Sequence, residues 1–253
     1  MNVFKDYAAY YNLLYEDKEY NKEASYIINF IHSHNENAKN ILNLGCGTGK
    51  HDFIFSEKGY DVTGVDMSAG MIELAKEGAK ERNLQGNLNF LEGDIRQIRL
   101  ESQFDVVLAL FHVMSYQTSN KDLLSAFETA YTHLKPGGIF IFDCWYGPGV
   151  LSDPPVVRVK HLENELLEVN RIAQPQSHPN ENVIDVNYNV IIREKNTGQY
   201  SEIREKHQMR YLFKPELELI FDKTNFTLLQ FREWLKDKEP GLNSWNACFV
   251  MKK

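Results

Sequence analysis

Short apolar runs alternate with amphipathic stretches along the first 143 residues of the chain. The apolar runs have the length of strands, and the stretches between them repeat apolar residues at helical spacing. The predicted strands cover residues 41–44, 60–65, 88–91, 104–110 and 139–142, and the predicted helices cover residues 19–33, 50–58, 68–82 and 121–134. Because parallel strands need crossover connections, this alternation predicts a doubly wound α/β fold.

The pattern changes after residue 143. Glycines and prolines at 147–149 and 153–155 predict a break. From residue 156 to 213, apolar and polar residues alternate with the period of strands, which predicts an inserted antiparallel sheet. A helix at 215–221 and strands at 226–234 and 247–251 would then close the edge of the main sheet as a hairpin.

These elements predict a mostly parallel, seven-stranded main sheet with an antiparallel β insertion. The predicted units are an α/β domain with an N-terminal helical lid (1–150), the β insertion (151–213), and a C-terminal helix with strands that complete the main sheet (214–253). The alternating apolar face at 183–192 must be buried, either on the parent domain or on a second copy of the chain.

Composition and charge exclude several classes of function. The chain has 28 Lys and Arg residues against 35 Asp and Glu, a net charge of −7, which argues against a nucleic-acid partner. No apolar run approaches the roughly 18 residues of a membrane span, and the N-terminus lacks the layout of a signal peptide. Three widely spaced cysteines encode neither a disulfide framework nor a zinc site, and His32 and His34 lack partners at metal-ligand spacing. We therefore expect a soluble cytoplasmic protein without a metal.

A glycine-rich turn follows the first predicted strand. Gly45-Cys46-Gly47-Thr48-Gly49 leads directly into a helix, where exposed backbone N–H groups favour a bound ligand. Asp66 ends the second strand 17 residues after Gly49, where a carboxylate can accept both hydroxyl groups of a ribose. The turn is not a P-loop, and it lacks the third glycine of a dinucleotide site. It suits a ligand with one ribose and no pyrophosphate, such as S-adenosylmethionine, although a plain structural turn stays possible.

Four segments resemble, in order, the motifs of class I S-adenosylmethionine-dependent methyltransferases: residues 41–49, 62–68, 91–96 and 134–138. A similarity over nearly the whole chain extends to the enzymes that N,N-dimethylate nucleotide-linked amino sugars, as in desosamine and mycaminose biosynthesis. The segments that carry it are residues 11–15, 45–51, 93–96, 115–116 and 145–146, together with the β insertion.

This resemblance implies N-methylation of a nucleotide-linked amino sugar by direct in-line methyl transfer, in a homodimer that pairs through the inserted sheet. Within the same cofactor class, the alternative is O- or N-methylation of another small metabolite, as in glycine N-methyltransferases. Two further hypotheses are that the protein is a dinucleotide-dependent oxidoreductase or a non-catalytic binding scaffold. Cofactor binding distinguishes the oxidoreductase at once.

The resemblance also implies which residues hold the cofactor. The glycine turn would line its methionine and ribose parts, Asp66 would bind the ribose, and residues after the third and fourth strands would contact the adenine and the methionine. The candidate cofactor residues are Tyr11, Tyr20, Gly45, Cys46, Gly47, Gly49, Asp66, Met67, Asp94, Ile95 and Leu110. Tyr11 or Tyr20 would contact the sulfonium, since an aromatic ring near a cation is favourable. The tyrosines at 7, 11 and 15 fit a packed helix stripe equally well.

The candidate substrate residues are Tyr15, Trp145, Tyr146, Arg158 and Arg171. The resemblance assigns Tyr15 to a tyrosine that closes over the substrate. Trp145 and Tyr146 follow the fifth strand, at the edge where open α/β sheets bind ligands. The two arginines could bind a diphosphate bidentately. The related enzymes carry an arginine near the C-terminus that residues 243–246 lack, which weakens the case for a nucleotide diphosphate.

Two residues are candidates for a general base, Tyr116 and His112. Tyr116 aligns with a family position near the acceptor amine, but bulkier residues replace the small-residue loop before it. His112 follows the fourth strand, and an imidazole titrates near neutral pH. An amine acceptor attacks unaided once deprotonated, so a base is optional; a hydroxyl acceptor would need one.

Overall fold

A computed structural model describes residues 13–253 and contains a main sheet of seven strands. The strands are β1 (Asn40–Leu44), β2 (Asp61–Asp66), β3 (Leu88–Glu92), β4 (Phe104–Ala109), β5 (Leu134–Trp145), β10 (Thr227–Glu233) and β11 (Asn246–Lys252). Their order in the sheet is β10-β11-β5-β4-β1-β2-β3. Strands β1 to β5 are parallel, whereas β11 is antiparallel to β5 and β10. The predicted fold class and the closing hairpin are confirmed.

Helices cover both faces of this sheet. They are α1 (Tyr20–His34), α2 (Lys50–Glu57), α3 (Ala69–Glu81), α4 (Asn120–His133), α5 (Gly147–Ser152) and α6 (Lys214–Thr224). Ser68 caps α3 as predicted, since its Oγ accepts the backbone N–H of Met71 at 3.4 Å. Within the described residues, no helix has the length and apolar character needed to cross a membrane.

Two apolar clusters fill the space between sheet and helices. Leu42, Phe127, Phe142 and Phe249 belong to the cluster on the α4 and α6 side, and Ile41 belongs to the one on the α1, α2 and α3 side. Both faces of the central strands are therefore buried, which is why these strands are apolar without interruption.

The inserted sheet has four antiparallel strands in the order β6-β7-β8-β9. They are β6 (Arg158–Glu163), β7 (Leu167–His178), β8 (Val183–Glu194) and β9 (Tyr200–Arg210). The apolar residues Val183, Ile184, Val186, Val190 and Ile192 of β8 are buried within the single chain. Burial was expected either on the parent domain or on a second copy of the chain. In the structure, residues of the same chain cover this face.

Two elements differ from the sequence prediction. β5 runs from Leu134 to Trp145, although the predicted strand covers only residues 139–142. Within the predicted insertion, β7 continues to His178, because it pairs with β8 throughout its length. Backbone pairing extends a strand where a polar sequence such as 174–178 gives no apolar period. The predicted break after Tyr146 contains the short helix α5, whose second residue is Pro148. Proline fits the first turn of a helix, because the N–H that it lacks has no intrahelical partner there.

Candidate active site

A cavity of about 470 Å³ lies at the carboxyl ends of the parallel strands, with the inserted sheet along one side. This is the edge of an open α/β sheet at which ligands bind. The lining residues are Tyr15, Gly45, Gly47, Asp66, Met67, Met71, Asp94, Ile95, Arg96, Leu110, Phe111, His112, Val113, Tyr116, Gln117, Trp145, Val186, Tyr188, His207 and Met209.

The glycine turn forms the floor of this cavity. The backbone N–H groups of Gly45 and Cys46 donate to the carbonyl of Val65 at 2.7 and 3.0 Å, which joins the turn to β2. Gly45 has φ 77° and Gly47 has φ 56°, a region that favours glycine. A Cβ on Gly45 would lie 2.4 Å from Val113 Cγ2. Only glycine therefore fits at Gly45.

Asp66 lies at the end of β2 and is tied to the glycine turn. Its Oδ2 accepts the backbone N–H of Gly47 at 2.9 Å, and its Oδ1 accepts that of Ser68 at 2.9 Å. Burial raises the pKa of Asp66, and these backbone hydrogen bonds act in the opposite direction. The carboxylate thus both shapes the turn and faces the cavity.

Asp94 lies beyond the end of β3 in a bidentate ion pair with Arg96. Nη2 of Arg96 lies 2.6 Å from Oδ2 and Nε lies 2.8 Å from Oδ1. The hydrogen bonds from Arg96 lower the pKa of Asp94. Arg96 also lines the cavity, so this rim carries a matched pair of charges beside the apolar Ile95.

The turn after β4 holds two consecutive residues in the left-handed region. Phe111 and His112 both have φ 65°. The buried carboxylate of Asp143 on β5 accepts both of their backbone N–H groups, at 2.6 and 3.1 Å. Non-glycine residues in this region cost free energy and persist where surrounding contacts hold them. Asp143 provides this contact. The turn that it stabilises places His112 at the cavity.

Tyr116 reaches the cavity from the 3₁₀ turn Val113–Tyr116. Its hydroxyl lies 2.8 Å from Nδ1 of His207 on β9, and His207 Nε2 lies 3.4 Å from Oε2 of Glu205. The ring of Tyr188 on β8 packs edge-on against His207 with centroids 5.2 Å apart. Burial, followed by neighbouring tyrosines and acidic groups, raises the pKa of Tyr116 well above its ordinary value.

The other predicted site residues line the main cavity, line a smaller cavity, or line neither. Tyr15, Met67, Leu110 and Trp145 line the main cavity. Tyr20 and Cys46 line a smaller cavity on the other side of the glycine turn, where Tyr20 packs against His51 at 4.9 Å. Gly49 lies at the start of α2, with φ 74°, and lines neither cavity. Tyr11 lies outside the described residues.

Three predicted substrate residues do not line the main cavity. Tyr146 packs against Phe231 with ring centroids 5.7 Å apart, because successive residues of a strand point to opposite faces. Arg158 is exposed at the start of the edge strand β6. Arg171 lies behind the lining, with its guanidinium 4.6 Å from the ring centroid of Tyr188.

Sequence reasoning missed several residues of the site, of which Tyr188 and His207 line the cavity and Asp143 and Glu205 are buried beside it. The most important are Asp143, Tyr188, Glu205 and His207, three of which lie on the inserted sheet. The alternation along β9 shows that Glu205, His207 and Met209 share a face. No local signal shows what that face meets.

The cavity fits the ligand expected from the sequence. The turn at Gly45 has no room for a side chain, Asp66 presents a carboxylate at the strand end, and Ile95 and Leu110 supply apolar surface. These features match a nucleoside with a single ribose. When bound, S-adenosylmethionine supplies an activated methyl group on its sulfonium sulfur.

Comparison with known proteins agrees with this geometry. The family model of a methyltransferase domain matches residues 41–138. The chain is 26% identical over 218 residues to dTDP-3-amino-3,4,6-trideoxy-alpha-D-glucopyranose N,N-dimethyltransferase of Streptomyces venezuelae, covering 85% of this chain and 88% of the relative.

Two solved structures share the fold over nearly their whole length. One is an S-adenosylmethionine-dependent methyltransferase from Clostridium acetobutylicum ATCC 824, with TM-score 0.82 and 21% identity, covering 99% of each chain. The other is DesVI of Streptomyces venezuelae, with TM-score 0.80 and 22% identity, covering 97% of this chain and 98% of that one.

Fold, glycine turn and domain match together define an α/β methyltransferase. The chain is an S-adenosylmethionine-dependent methyltransferase, which confirms the enzyme class and the cofactor predicted from its sequence.

Proposed function

We propose that this methyltransferase acts on a small molecule, the amino group of a nucleotide-linked amino sugar, by direct in-line methyl transfer. The observation that carries the proposal is the bounded cavity of about 470 Å³ that the inserted sheet and the cofactor domain form together. The similarity to the amino-sugar N,N-dimethyltransferase covers 85% of this chain, so it includes part of that inserted sheet.

In this proposal Gly45, Gly47 and Asp66 hold the cofactor. Tyr15 and Trp145, which line the same cavity, bind the acceptor. The ring of Tyr15 packs edge-on against Phe111 with centroids 5.1 Å apart, so it is positioned by the turn that also carries His112. Orientation of the acceptor can supply about 7–11 kcal/mol of the barrier reduction. An amine that has lost its ammonium proton then attacks without a strong base.

The test is a substrate screen with the purified protein and S-adenosylmethionine. The first acceptor is dTDP-3-amino-3,4,6-trideoxyglucose, and its matched control carries a hydroxyl in place of the amine. We expect mass spectrometry to show one or two added methyl groups on the amine only. Methylation of the hydroxyl control or of glycine, with none on the amino sugar, would overturn the proposal in favour of another small metabolite.

The same reaction tests the two candidate bases. Replacing His112 with Gln and Tyr116 with Phe, in turn, separates their contributions to kcat. We expect Tyr116→Phe to lower kcat more, because the hydroxyl of Tyr116 lies 2.8 Å from Nδ1 of His207, which can take its proton. Near-normal rates in both variants would mean that orientation alone is sufficient.

We also propose that the protein is a homodimer that pairs through the inserted sheet. Val157, Val159, Leu166 and Tyr200 lie on or beside this sheet and are each more than half exposed. Exposed apolar side chains on or beside the edge strand β6, such as Val157 and Val159, favour a protein contact. We expect light scattering to give the mass of two chains, and Val159→Glu to reduce it. A wild-type mass of one chain would overturn this proposal.

A further inference from the structure

A linear chain of polar groups crosses from the α/β domain into the inserted sheet. Its members are Tyr116, His207 and Glu205. The two contacts measure 2.8 Å and 3.4 Å. His207 and Glu205 are 4% and 5% exposed, whereas Tyr116 keeps 36% of its surface exposed, so the chain has a buried end and an end at the cavity.

The hydrogens in this chain can be assigned from chemistry. An ionised carboxylate only accepts hydrogen bonds, so the imidazole nitrogen facing Glu205 carries the hydrogen. In the neutral ring the other nitrogen, Nδ1, is then an acceptor, and it accepts the hydroxyl hydrogen of Tyr116. Glu205 thus selects the tautomer of His207 in the way that a carboxylate orients a catalytic imidazole.

This assignment fixes what Tyr116 can do toward the cavity. A phenol whose hydrogen is donated to His207 can interact with another group only as an acceptor. It therefore favours a ligand that brings an N–H or O–H bond. The hydroxyl is protonated at neutral pH, because the ordinary pKa of a tyrosine is near 10 and the surroundings of Tyr116 raise it further.

We propose that Tyr116, His207 and Glu205 are a proton relay for the methyl acceptor. Tyr116 is the catalytic residue, and His207 and Glu205 are positioning residues that act through it. This inference rests on the proposed function, since it assumes an amine acceptor, which is protonated near neutral pH like the amine of lysine.

An N–H bond of the ammonium breaks, and its proton passes to the Tyr116 oxygen while the Tyr116 hydrogen passes to Nδ1 of His207. The nitrogen keeps the electron pair and would use it to form the bond to the methyl carbon, while the bond from that carbon to the sulfonium sulfur breaks and the sulfur keeps that electron pair. The imidazolium that results faces the Glu205 carboxylate, which stabilises it, and its proton later leaves to water. One proton leaves the substrate for each methyl group added.

The packing around His207 supports a fixed geometry. The Tyr188 ring of β8 packs against the imidazole, and the guanidinium of Arg171 on β7 lies 4.6 Å from the centroid of that Tyr188 ring. Val186 of β8 lies directly opposite His207 in the antiparallel register. The imidazole is thus held between two strands of the inserted sheet rather than on a loop.

The test compares His207→Ala, Glu205→Gln and Tyr116→Phe with a control, His161→Ala, on the exposed edge strand β6 of the same sheet. Titration calorimetry with S-adenosylhomocysteine first checks that each variant folds and binds. If His207→Ala does not fold, His207→Gln replaces it. We expect kcat with the amino-sugar nucleotide to fall about 100-fold for His207→Ala, with KM nearly unchanged. The control should retain the wild-type kcat.

Two readouts distinguish a relay from simple packing. Imidazole added to the buffer should restore part of the kcat of His207→Ala but not that of Tyr116→Phe. In ¹⁵N NMR spectra, His207 should show the Nε2–H tautomer in the wild-type protein, and Glu205→Gln should reduce its population.

A wild-type kcat in His207→Ala, or a loss that imidazole does not restore, would overturn the relay while leaving the proposed function intact. The Nδ1–H tautomer at His207 would overturn it as well. If the wild-type protein methylates no amino sugar at all, the proposed function itself fails.

Discussion

Asp143 contacts His112 in two ways at once. Its Oδ2 accepts the backbone N–H of His112 at 3.1 Å and lies 2.6 Å from the ring nitrogen Nδ1. One buried carboxylate therefore fixes both the left-handed backbone and the ring orientation of a residue at the cavity. The Asp143 carboxylate on the neighbouring strand β5 therefore stabilises this strained backbone, and contacts within the turn itself do not.

Replacing Asp143 with Asn should release this turn. An amide keeps one acceptor oxygen but presents a donor to the second N–H group, so we expect a loss of roughly 1–3 kcal/mol in the free energy of unfolding. We also expect kcat to fall, because His112 and Tyr15 both depend on the turn. Urea unfolding and turnover measure the two effects, and Asp153→Asn, at an exposed position, is the control. Unchanged stability in Asp143→Asn would contradict the clamp.

Alanine at Gly45 should distort the floor of the cavity. Its Cβ would lie 2.4 Å from Val113, whereas the Cβ of Gly59→Ala would meet nothing within 4 Å at a similar φ of 90°. The pair separates the clash from the cost of a left-handed alanine, which is about 1 kcal/mol. We expect Gly45→Ala alone to weaken S-adenosylhomocysteine binding by calorimetry. Equal affinities in the two variants would show that the close approach is unimportant.

Replacing Asp66 with Asn should weaken cofactor binding. Hydrogen bonds to charged groups contribute about 1.5–3 kcal/mol, so we expect the Kd for S-adenosylhomocysteine to rise roughly 10- to 100-fold. Asp61→Asn, at the exposed start of the same strand, serves as the control and should bind normally. A wild-type Kd in Asp66→Asn would remove Asp66 from the cofactor site.

Acid should destabilise the contact between α1 and α2. Burial alone would raise the pKa of Glu23, but its hydrogen bond to His51 at 2.7 Å and the charge of Lys18 outweigh burial and lower the pKa from 4.5 to about 2. A carboxylate whose pKa is lowered in the folded protein stabilises the fold at pH values above the pKa that it has in the unfolded chain. This stabilisation is lost as the pH falls toward 2.

At about 1.4 kcal/mol per pKa unit, the stabilisation from Glu23 at pH 7 is roughly 3 kcal/mol. We expect the difference in unfolding free energy between wild type and Glu23→Gln to shrink by about half between pH 7 and pH 3. Urea unfolding at several pH values measures it. Glu57→Gln, an exposed carboxylate on α2, controls for general acid effects. A difference that stays constant with pH would contradict the lowered pKa.

Local patterns predicted the main sheet because they act within a few residues. The apolar run at 41–44, the glycines after it and the carboxylate at Asp66 indicate strand, turn and ligand contact without reference to distant parts of the chain. Strands reach beyond their apolar residues where backbone pairing continues, as in β5 and in residues 174–178 of β7. The cofactor class followed from these local features and from their order along the chain.

The rest of the cavity depended on which surfaces meet. Tyr116 and His207 are 91 positions apart in sequence, yet the Tyr116 hydroxyl lies 2.8 Å from the imidazole of His207. His207 occupies a position fixed by the pairing of β8 and β9, in which Val186 lies opposite His207. The period of two along β9 determines which residues share a face, but not what that face contacts. The same limit explains Tyr146, which follows Trp145 yet lies away from the cavity. The sequence by itself determined the order of the elements, the glycine turn and the cofactor, because these are local. The tertiary structure alone decided which side chains of the inserted sheet reach the site, because long-range packing selects the partner of each face.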